Sequence, residues 1–319
     1  MPSSINKLPN IEGYQLLQDW STSGSCRWSF AEKDGKQWFI KQFMAPKLKR
    51  TSDGISEKKV KESRKRCVEF GEAQHELYSR IAVSAETGNI VPVSRFFLYE
   101  TMFYSVTSRI DISSVEADEI SHMSHDQKMV LLKVLTHSIC SLHKNGVVHA
   151  DLKPDNVLIK ETQSGYTLKL IDFDASFLES NPKRGEQVCF DMSFVAPETI
   201  AAYNDERISL TKKIDVFALG LLIHLYYSGV MPWVPDGYSN VCGAVSDQCA
   251  PRVSKRIPEW MKKMILDMLS LLPENRPDAK TVFLALTEQR YPLHNEVPVA
   301  NEAKGFYSPL KLSKHRANH

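Results

Sequence analysis

The sequence predicts a two-lobed α+β fold in which a small antiparallel β lobe is followed by a larger α-helical lobe. In the first third of the chain, short apolar runs are joined by turn residues, a pattern typical of β-hairpins. From about residue 124 onward, apolar residues recur mostly at helical spacing, and two short β runs interrupt them. The length of 319 residues is enough for both lobes to bury a core.

The composition argues against several classes of protein. With 40 Lys and Arg against 38 Asp and Glu, the formal net charge of +2 favours neither nucleic acid nor an anionic membrane surface as a partner. The most apolar stretch, Val216–Tyr227, is about twelve residues long, whereas a membrane span needs roughly twenty. The opening Met1–Asn10 lacks the apolar run of a secretory signal. The six cysteines form no C-x-x-C pair, so we expect reduced thiols and a cytoplasmic protein.

Turn and periodicity signals predict the elements of the first lobe. Asp34-Gly35, between two apolar runs, predicts a β-hairpin over residues 27–43. After a basic stretch, apolar residues at every third or fourth position predict a helix over Cys67–Ile81. Ile90–Tyr99 and Phe103–Thr107 then have the composition of a second strand pair.

The second lobe is predicted to begin with a long helix over Val130–Leu142, which Asn145-Gly146 would end. A short β-hairpin follows over residues 157–171, with its turn at Ser164-Gly165. Two further apolar segments, Asp215–Ser228 and Pro258–Leu272, predict buried helices.

The loop between the long helix and the short hairpin carries a group of polar residues, His-Ala-Asp-Leu-Lys-Pro-Asp-Asn at 149–156. Asp151 in such a loop can orient a substrate hydroxyl and accept its proton, and the side-chain carbonyl of Asn156 can hold a divalent ion. Asp172 ends the second strand of the hairpin, where a carboxylate suits Mg²⁺, which prefers hard oxygen ligands and phosphate oxygens. These residue types at this spacing indicate phosphoryl transfer.

These motifs belong to an ordered series that resembles the protein kinase superfamily, in its bacterial eukaryotic-like Ser/Thr form. The resemblance covers about residues 15–285 and implies a bilobal protein-kinase-like fold. It divides the chain into an N-terminal extension (1–10), a β lobe with one main helix (11–108), an α lobe with the catalytic loop and activation segment (109–290), and a C-terminal tail (291–319). The motifs are Ile40-Lys41, the loop at 149–156, Asp172-Phe173, Ala196-Pro197-Glu198, Asp215–Gly220 and Pro273–Pro277.

The resemblance implies a role for each matching residue. Lys41 would hold the α- and β-phosphates of ATP, Asp151 would be the catalytic base, and Lys153 would neutralise charge on the γ-phosphoryl group. Asn156 and Asp172 would bind Mg²⁺, or Mn²⁺ in its place. The other implied nucleotide contacts are Ser23 and Gly24 in the phosphate loop, Thr107 as gatekeeper, and Ser108 and Ile110 in the hinge that bonds adenine.

Two ionic contacts are implied to be structural. Asp215 would anchor the backbone of the catalytic loop from a buried helix. Glu198 would pair with Arg276, which lies 78 residues later, and would hold the activation segment onto the α lobe.

The sequence does not decide which residue of the predicted helix pairs with Lys41. Glu69, Glu72 and Glu76 all lie on the predicted helix, and the apolar phase of that helix would place Gln74 at the position if no residue is inserted. Among these we favour Glu72.

The nucleotide site departs from the family pattern in three ways. The segment 21–28 contains only one glycine, Gly24, where the family has three. Trp28 and Phe39 replace a small valine and alanine above adenine, and could either stack on a purine or obstruct it. Asp174 stands where the family has glycine, so it could restrict the motion of this segment or add a second carboxylate near the metal.

Two departures concern the activation segment. Asp191 replaces the threonine that in this family bonds the catalytic Asp and Lys. Ala150 replaces the arginine that grips a phosphorylated activation segment, so we expect activity that does not require such phosphorylation.

The function implied is ATP- and Mg²⁺-dependent phosphorylation of Ser and Thr hydroxyls on protein substrates, autophosphorylation included. The alternatives are an ATP-binding pseudokinase scaffold and a small-molecule kinase on the same fold. The basic stretch Lys58–Arg66 is interpreted as a solvated helix face or as a docking surface for an acidic partner or nucleic acid.

Overall fold

The hairpin signals of the first third of the chain fold into one antiparallel sheet. This computed structural model describes residues 8–23, 26–110, 115–163 and 165–292. Its seven-stranded sheet consists of β1 (Asn10–Ile11), β2 (Tyr14–Leu16), β3 (Ser21–Ser23), β4 (Cys26–Lys33), β5 (Lys36–Phe43), β6 (Arg95–Tyr99) and β7 (Met102–Ser108). The strands are hydrogen-bonded in the order β1-β2-β4-β5-β7-β6, and β3 pairs with β4.

The predicted hairpin at Asp34-Gly35 is confirmed. Both residues have positive φ, at 54° and 68°, as a two-residue type I′ turn requires. The register places Trp28 opposite Lys41 and Phe30 opposite Phe39. Because opposed residues and residues two apart share a face of a sheet, these four side chains lie on one face.

The main helix of the β lobe, α1 (Glu57–Ser84), is longer than the predicted Cys67–Ile81. The basic stretch Lys58–Arg66 forms its first part, because Lys and Arg are good helix formers and their charges remain exposed. This exposure agrees with a solvated face, and docking of a partner there stays a prediction. The buried side chains of α1 are Val60, Ser63, Cys67, Leu77, Tyr78, Ile81 and Ser84.

The second predicted strand pair is confirmed, with one shortened strand. β6 begins at Arg95 rather than at Ile90. Pro92 lies between them and has no N–H to donate to a ladder. Ile90 forms an isolated parallel bridge with Leu170 instead.

The later elements also follow the predicted pattern. The long helix ends at Lys144, just before Asn145-Gly146, and Gly146 has a φ of 72°. The predicted short hairpin forms, and Ser164 of its turn lies outside the described residues. These elements are α2 (Ala117–His122), α3 (His125–Lys144), β8 (Val147–Val148), β9 (Val157–Thr162), β10 (Gly165–Leu170), β11 (Phe177–Leu178), α4 (Pro197–Asn204), α5 (Lys213–Ser228), α6 (Val241–Ser246), α7 (Glu259–Met268) and α8 (Ala279–Glu288).

The chain divides into two compact units. The first comprises the chain up to residue 115, together with Ser138–Val148 and Asp155–Ser180. The second comprises Glu116–His137, His149–Pro154 and the chain from residue 181 onward. Most of the predicted N-terminal extension and of the tail at 291–319 lies outside the described residues, and the predicted domain boundaries stay predictions.

The first unit has a hydrophobic cluster on each face of its sheet. One contains Ile11, Tyr14, Leu16, Ala31, Ile40, Tyr104 and Val106. The other joins the sheet to α1 through Cys26, Phe43, Cys67 and Phe103. The end of α1 is fixed further by Ser84, whose carbonyl accepts a hydrogen bond from the Ser141 hydroxyl at 3.0 Å. These contacts fix α1 against the sheet and against α3.

The second unit is built around α5, which is apolar on nearly all sides and buried along most of its length. Gly220 allows α5 to approach α7 closely, since a Cβ there would lie 3.0 Å from the Cβ of Met268. None of the helices in the described ranges is long and apolar enough to cross a membrane.

The predicted Glu198–Arg276 ion pair is confirmed within the second unit. Both side chains are buried, and the guanidinium of Arg276 donates to the two carboxylate oxygens of Glu198 at 2.5 and 2.8 Å. Arg276 also donates to the carbonyls of Lys213 and Ser270. The pair therefore ties the start of α4 to the start of α5 and to the segment after α7.

Candidate functional site

A cavity of about 240 Å³ in the first unit brings together most of the residues predicted to bind a nucleotide. The face of the sheet that carries Phe39 and Lys41 forms one wall, and the short β9–β10 hairpin and the residues after it contribute others. The lining residues are Phe30, Phe39, Lys41, Tyr78, Val91, Val93, Ser105, Thr107, Ser108, Arg109, Ile110, Leu158, Ile171, Asp172, Phe173 and Asp174.

Lys41 lies between two carboxylates in this cavity. Its ammonium is 2.7 Å from Oδ1 of Asp172 and 2.6 Å from Oδ2 of Asp174, and the residue is only 9% exposed. Burial alone would lower the pKa of Lys41, but the charges of Asp174 and Asp172 outweigh it and raise the pKa above its usual value. Lys41 is therefore a fixed positive charge that can attract phosphate oxygens.

Asp172 and Asn156 lie at the two ends of the short hairpin, where the chain brings them close. The N–H of Ile171 donates to the backbone carbonyl of Asn156 at 3.0 Å, so the residue before Asp172 is bonded directly to Asn156. Asp172 has a φ of 63°, in the left-handed region that costs a non-glycine residue free energy. Such strain persists only where the surrounding structure enforces it.

The predicted adenine-binding segment lines the cavity as expected. Thr107, Ser108 and Ile110 are all lining residues, and Thr107 is paired with Phe39 in the β5–β7 register. Arg109 was not singled out from the sequence. Its guanidinium stacks on the ring of Phe30 at 4.2 Å from the centroid.

The aromatic wall differs from the sequence prediction in one ring. Phe39 lines the cavity as predicted, but its neighbour there is Phe30, and Trp28 is not among the lining residues. The Trp28 ring lies 5.3 Å from Phe39 and 5.6 Å from Phe30. The alternation of β4 could have indicated Phe30, because residues 28 and 30 share a face.

The preference for Glu72 as the partner of Lys41 finds no support in the contacts of Lys41. Glu72 is exposed on α1. Glu69 and Glu76 are also exposed and lie next to Lys65 and Arg80, respectively. The helix instead reaches the cavity through Tyr78, because the phase of α1 turns its glutamates to the solvent side.

The predicted phosphate loop is described only in part. Ser23 ends β3 and is paired with Cys26 across the turn. Gly24 and Ser25 lie outside the described residues. Phosphate binding by Ser23 and Gly24 stays a prediction.

The second unit positions the catalytic loop through Asp215. This carboxylate is 1% exposed and accepts hydrogen bonds from the backbone N–H groups of His149 and Ala150, each at 2.8 Å. Ala150 has a φ of 65°, so the loop turns sharply just before Asp151. The predicted anchoring role of Asp215 agrees with this geometry.

Asp151 and Lys153 lie together at the surface of the second unit. The Lys153 ammonium is 3.0 Å from Oδ2 of Asp151 and 4.0 Å from Oδ2 of Asp191. Oδ1 of Asp191 accepts the backbone N–H of Ser193 at 2.8 Å. The carboxylate that replaces the family threonine is therefore part of the electrostatic environment of Lys153.

The residues around the cavity fit Mg²⁺ and a nucleotide chemically. Asp172 offers a carboxylate and Asn156 an amide oxygen, the hard ligands that Mg²⁺ uses with phosphate oxygens. Lys41 supplies positive charge, and Phe30 and Phe39 supply apolar surface for a purine. The described ranges contain no cluster of three or more His, Cys, Asp or Glu side chains that could hold a metal by themselves.

Comparison with known proteins decides the family. The family model described as protein kinase domain matches residues 44–285, more than half of the chain. The chain belongs to the protein kinase family. This kinase match includes the catalytic loop and Asp172, and it begins three residues after Lys41.

Curated kinases are similar over about half of this chain. The ovarian-specific serine/threonine-protein kinase Lok of Drosophila melanogaster is 30% identical over 166 residues, which cover 50% of this chain and 34% of Lok. The MAP kinase kinase PBS2 of Saccharomyces cerevisiae is 28% identical over 196 residues, 60% of this chain and 28% of PBS2. The chain thus spans about a third or less of these relatives.

A solved kinase structure shares the fold. A crystal structure of Rad53 in complex with AMP-PNP has a TM-score of 0.57 and 19% identity, and the likeness covers 85% of this chain and 64% of that chain. At this identity the likeness shows the fold alone. The predicted α+β kinase fold, an antiparallel β unit with a helical unit, is confirmed.

Proposed function

We propose that this kinase-family chain transfers the γ-phosphoryl group of ATP, with Mg²⁺, to Ser and Thr hydroxyls of protein substrates, including its own. The observation that carries the proposal is a fixed cation, Lys41, beside the carboxylate of Asp172 in a cavity with apolar aromatic walls. Phosphoryl transfer depends on positioning and charge stabilisation, and these are the groups it needs.

Each unit supplies a different part of the proposed reaction. In the first unit, Lys41 would bind the α- and β-phosphates, Asp172 and Asn156 would hold Mg²⁺, and Thr107 to Ile110 would bind adenine. Bound Mg²⁺ supplies neutralisation of the phosphate charge. In the second unit, Asp151 would orient the hydroxyl and accept its proton, and Lys153 would offset the charge on the transferred group.

A nucleotide-binding scaffold without transfer is the second candidate. Gln74 favours it, because this residue is a neutral amide on the α1 face that carries Tyr78. Its Oε1 is buried without a hydrogen-bond partner among the described residues. A missing helix carboxylate would weaken the positioning of Lys41, unless another group replaces it.

The experiment that tests the proposal is mass spectrometry of the purified chain and a generic protein substrate after incubation with Mg²⁺-ATP. We expect phosphate on Ser or Thr, and we expect Asp151→Asn and Asp172→Asn each to lower the rate by about a hundredfold or more. Asp155→Asn removes an exposed carboxylate from the same loop and serves as the matched control. Nucleotide binding without any transfer would favour the scaffold, and phosphorylation of a small molecule with no protein labelling would overturn the protein substrate.

The compartment belongs to the proposal as well. All six cysteines lie within the described residues, and none of them is in a disulfide. Reduced thiols support a cytoplasmic protein.

A further inference from the structure

Lys41 has a second carboxylate neighbour that the family pattern does not provide. Oδ2 of Asp174 lies 2.6 Å from the Lys41 ammonium, slightly closer than Oδ1 of Asp172 at 2.7 Å. Asp172 also accepts the backbone N–H of Asp174 at 3.3 Å. The two carboxylates and the ammonium therefore form one compact group in the first unit.

The side chain at position 174 causes no backbone conflict. Asp172 is among the described residues with positive φ, and Asp174 is not. A Cβ is thus accommodated at 174 without the strain of a left-handed conformation. Position 174 therefore accepts an aspartate without backbone strain, and its carboxylate can serve as a partner for Lys41.

Helix α1 provides no carboxylate to Lys41. Its three candidate glutamates are exposed, as described above. Gln74 lies one helical turn before Tyr78, which lines the cavity, so the two residues share a face of α1. The buried, unsatisfied Oε1 of Gln74 shows that this side chain points into the protein, but an amide cannot neutralise an ammonium.

A buried ammonium needs a counter-ion that stays with it. Asp172 is the proposed ligand of Mg²⁺, and a carboxylate shared with a divalent cation attracts Lys41 less strongly. Asp174 is the neighbouring carboxylate that could keep its contact with Lys41. Asp174 and Tyr78 of α1 line the same cavity. Burial raises the pKa of the Tyr78 hydroxyl, and the charge of Asp174 adds to this effect.

We propose that Asp174 is the positioning residue for Lys41 in this chain, in place of a carboxylate from α1. Gln74 occupies the position on α1 where such a carboxylate would lie. This inference rests on the proposed function, since the position of Lys41 matters for binding phosphates. It goes further because it assigns a role to the residue at position 174, where the kinase pattern has glycine.

The test is a rescue experiment on nucleotide affinity, measured by displacement of a fluorescent ATP analogue at fixed Mg²⁺. We expect Asp174→Gly to weaken binding by about tenfold or more, or about 1.4 kcal/mol, because Lys41 then keeps only Asp172, the carboxylate that Mg²⁺ would share. Adding Gln74→Glu to Asp174→Gly should restore the affinity to within about threefold of the original chain. Glu62→Gln, an exposed carboxylate on the same helix, is the matched control.

The melting temperature and a second variant distinguish a positioning role from a merely structural one. The melting temperature without nucleotide should be similar in the original chain, the single variant and the rescued double variant. If Asp174→Gly does not fold, Asp174→Asn removes the charge at nearly the same size and is expected to show the same loss and the same rescue.

Several results would overturn the inference. Unchanged affinity in Asp174→Gly, or tenfold weaker binding in Glu72→Gln, would mean that Asp174 does not hold Lys41. If excess Mg²⁺ restores the nucleotide affinity of Asp174→Gly and Gln74→Glu does not, Asp174 is a metal ligand instead. If the original chain binds no nucleotide, the proposed function fails together with the inference, whereas the other results leave that function standing.

Discussion

At the scale of single residues, two positions of this kinase-family chain have a strained backbone. Ala150 and Asp172, at φ of 65° and 63°, both adopt the left-handed conformation although neither is glycine. Each lies in one of the two segments with predicted catalytic or metal-binding residues. Strain at such positions is maintained by contacts that fix the local backbone. At Ala150 these contacts are the hydrogen bonds that the backbone N–H groups of His149 and Ala150 donate to the Asp215 carboxylate.

The ring of Phe39 is expected to limit the size of the purine that the cavity accepts. Phe39→Ala should enlarge the cavity, so that an N6-benzyl adenine nucleotide binds about tenfold more tightly than to the original chain. Competition binding with this analogue and with unmodified ATP checks the prediction. Trp38→Ala is the control, because Trp38 is the neighbouring residue on the opposite face of β5. Equal gains in both variants would mean that the effect is not specific to the cavity.

At the scale of elements, buried polar side chains tie α4 and α5 to neighbouring segments of the second unit. Glu198 at the start of α4 meets Arg276, and His224 in the middle of α5 bonds two loop backbones. The side chains of Glu198, Arg276 and His224 are all buried. Enclosed polar groups need their partners, because water cannot replace a lost one.

Arg276→Ala should lower the free energy of unfolding by about 3–5 kcal/mol, since it leaves the carboxylate of Glu198 buried without its counter-ion. Urea unfolding measures this loss, and activity should fall with it. Arg207→Ala is the matched control, because Arg207 pairs with Asp205 while 90% exposed. Similar curves for Arg276→Ala and the original chain would contradict a stabilising role for the pair.

His224 predicts a dependence of stability on pH. Its Nδ1 donates to the Val230 carbonyl at 2.8 Å and its Nε2 accepts the N–H of Ser254 at 3.0 Å, a pattern that needs the neutral ring. Burial lowers the pKa of His224 from 6.5, and the Val230 bond opposes this only in part. Below about pH 6.5 the unfolded chain therefore binds more protons than the folded one, and stability falls as the pH falls.

The loss attributable to His224 has an upper limit of about 1.4 kcal/mol per pH unit. We expect the fall in unfolding free energy between pH 7 and pH 5 to be smaller in His224→Asn than in the original chain. Comparing each protein with itself at the two pH values removes the cost of the substitution. An equal fall in both would show that another group causes it.

At the scale of the whole molecule, ordered motifs along the chain predicted the fold and most of the cavity. Lys41, Asp172 and the residues 107–110 come together as expected, because strand register and a short hairpin bring such motifs into one place. The partner of Lys41 could not be predicted, because it depends on the phase of a 28-residue helix against the sheet. Glu72 and Gln74 are two positions apart, about 200° around the helix axis, so the phase of the helix decides which of them faces inward.

The activation segment predicts how the activity of the whole chain depends on phosphorylation. Ala150 has no guanidinium that could bind a phosphorylated activation segment. Of the serines of that segment, Ser176 is 1% exposed, and Ser180 and Ser193 are exposed. We expect Ser176→Ala, Ser180→Ala and Ser193→Ala, singly and together, to keep activity within about tenfold of the original chain, or 1.4 kcal/mol of transition-state stabilisation. A kinase assay on a generic substrate measures this. A larger loss in a variant that melts normally would show that phosphorylation is required.

The contact between Trp28 and the cavity wall has a practical consequence. Indole emission responds to changes within a few ångströms, and the Trp28 ring lies 5.3 Å from Phe39, against which a purine would stack. Intrinsic fluorescence should therefore change as nucleotide is added, and Trp28→Phe should abolish most of that change while the other four of the chain's five tryptophans still emit. The chain thus has an optical probe of its own beside the cavity, and occupancy can be followed without attaching a dye.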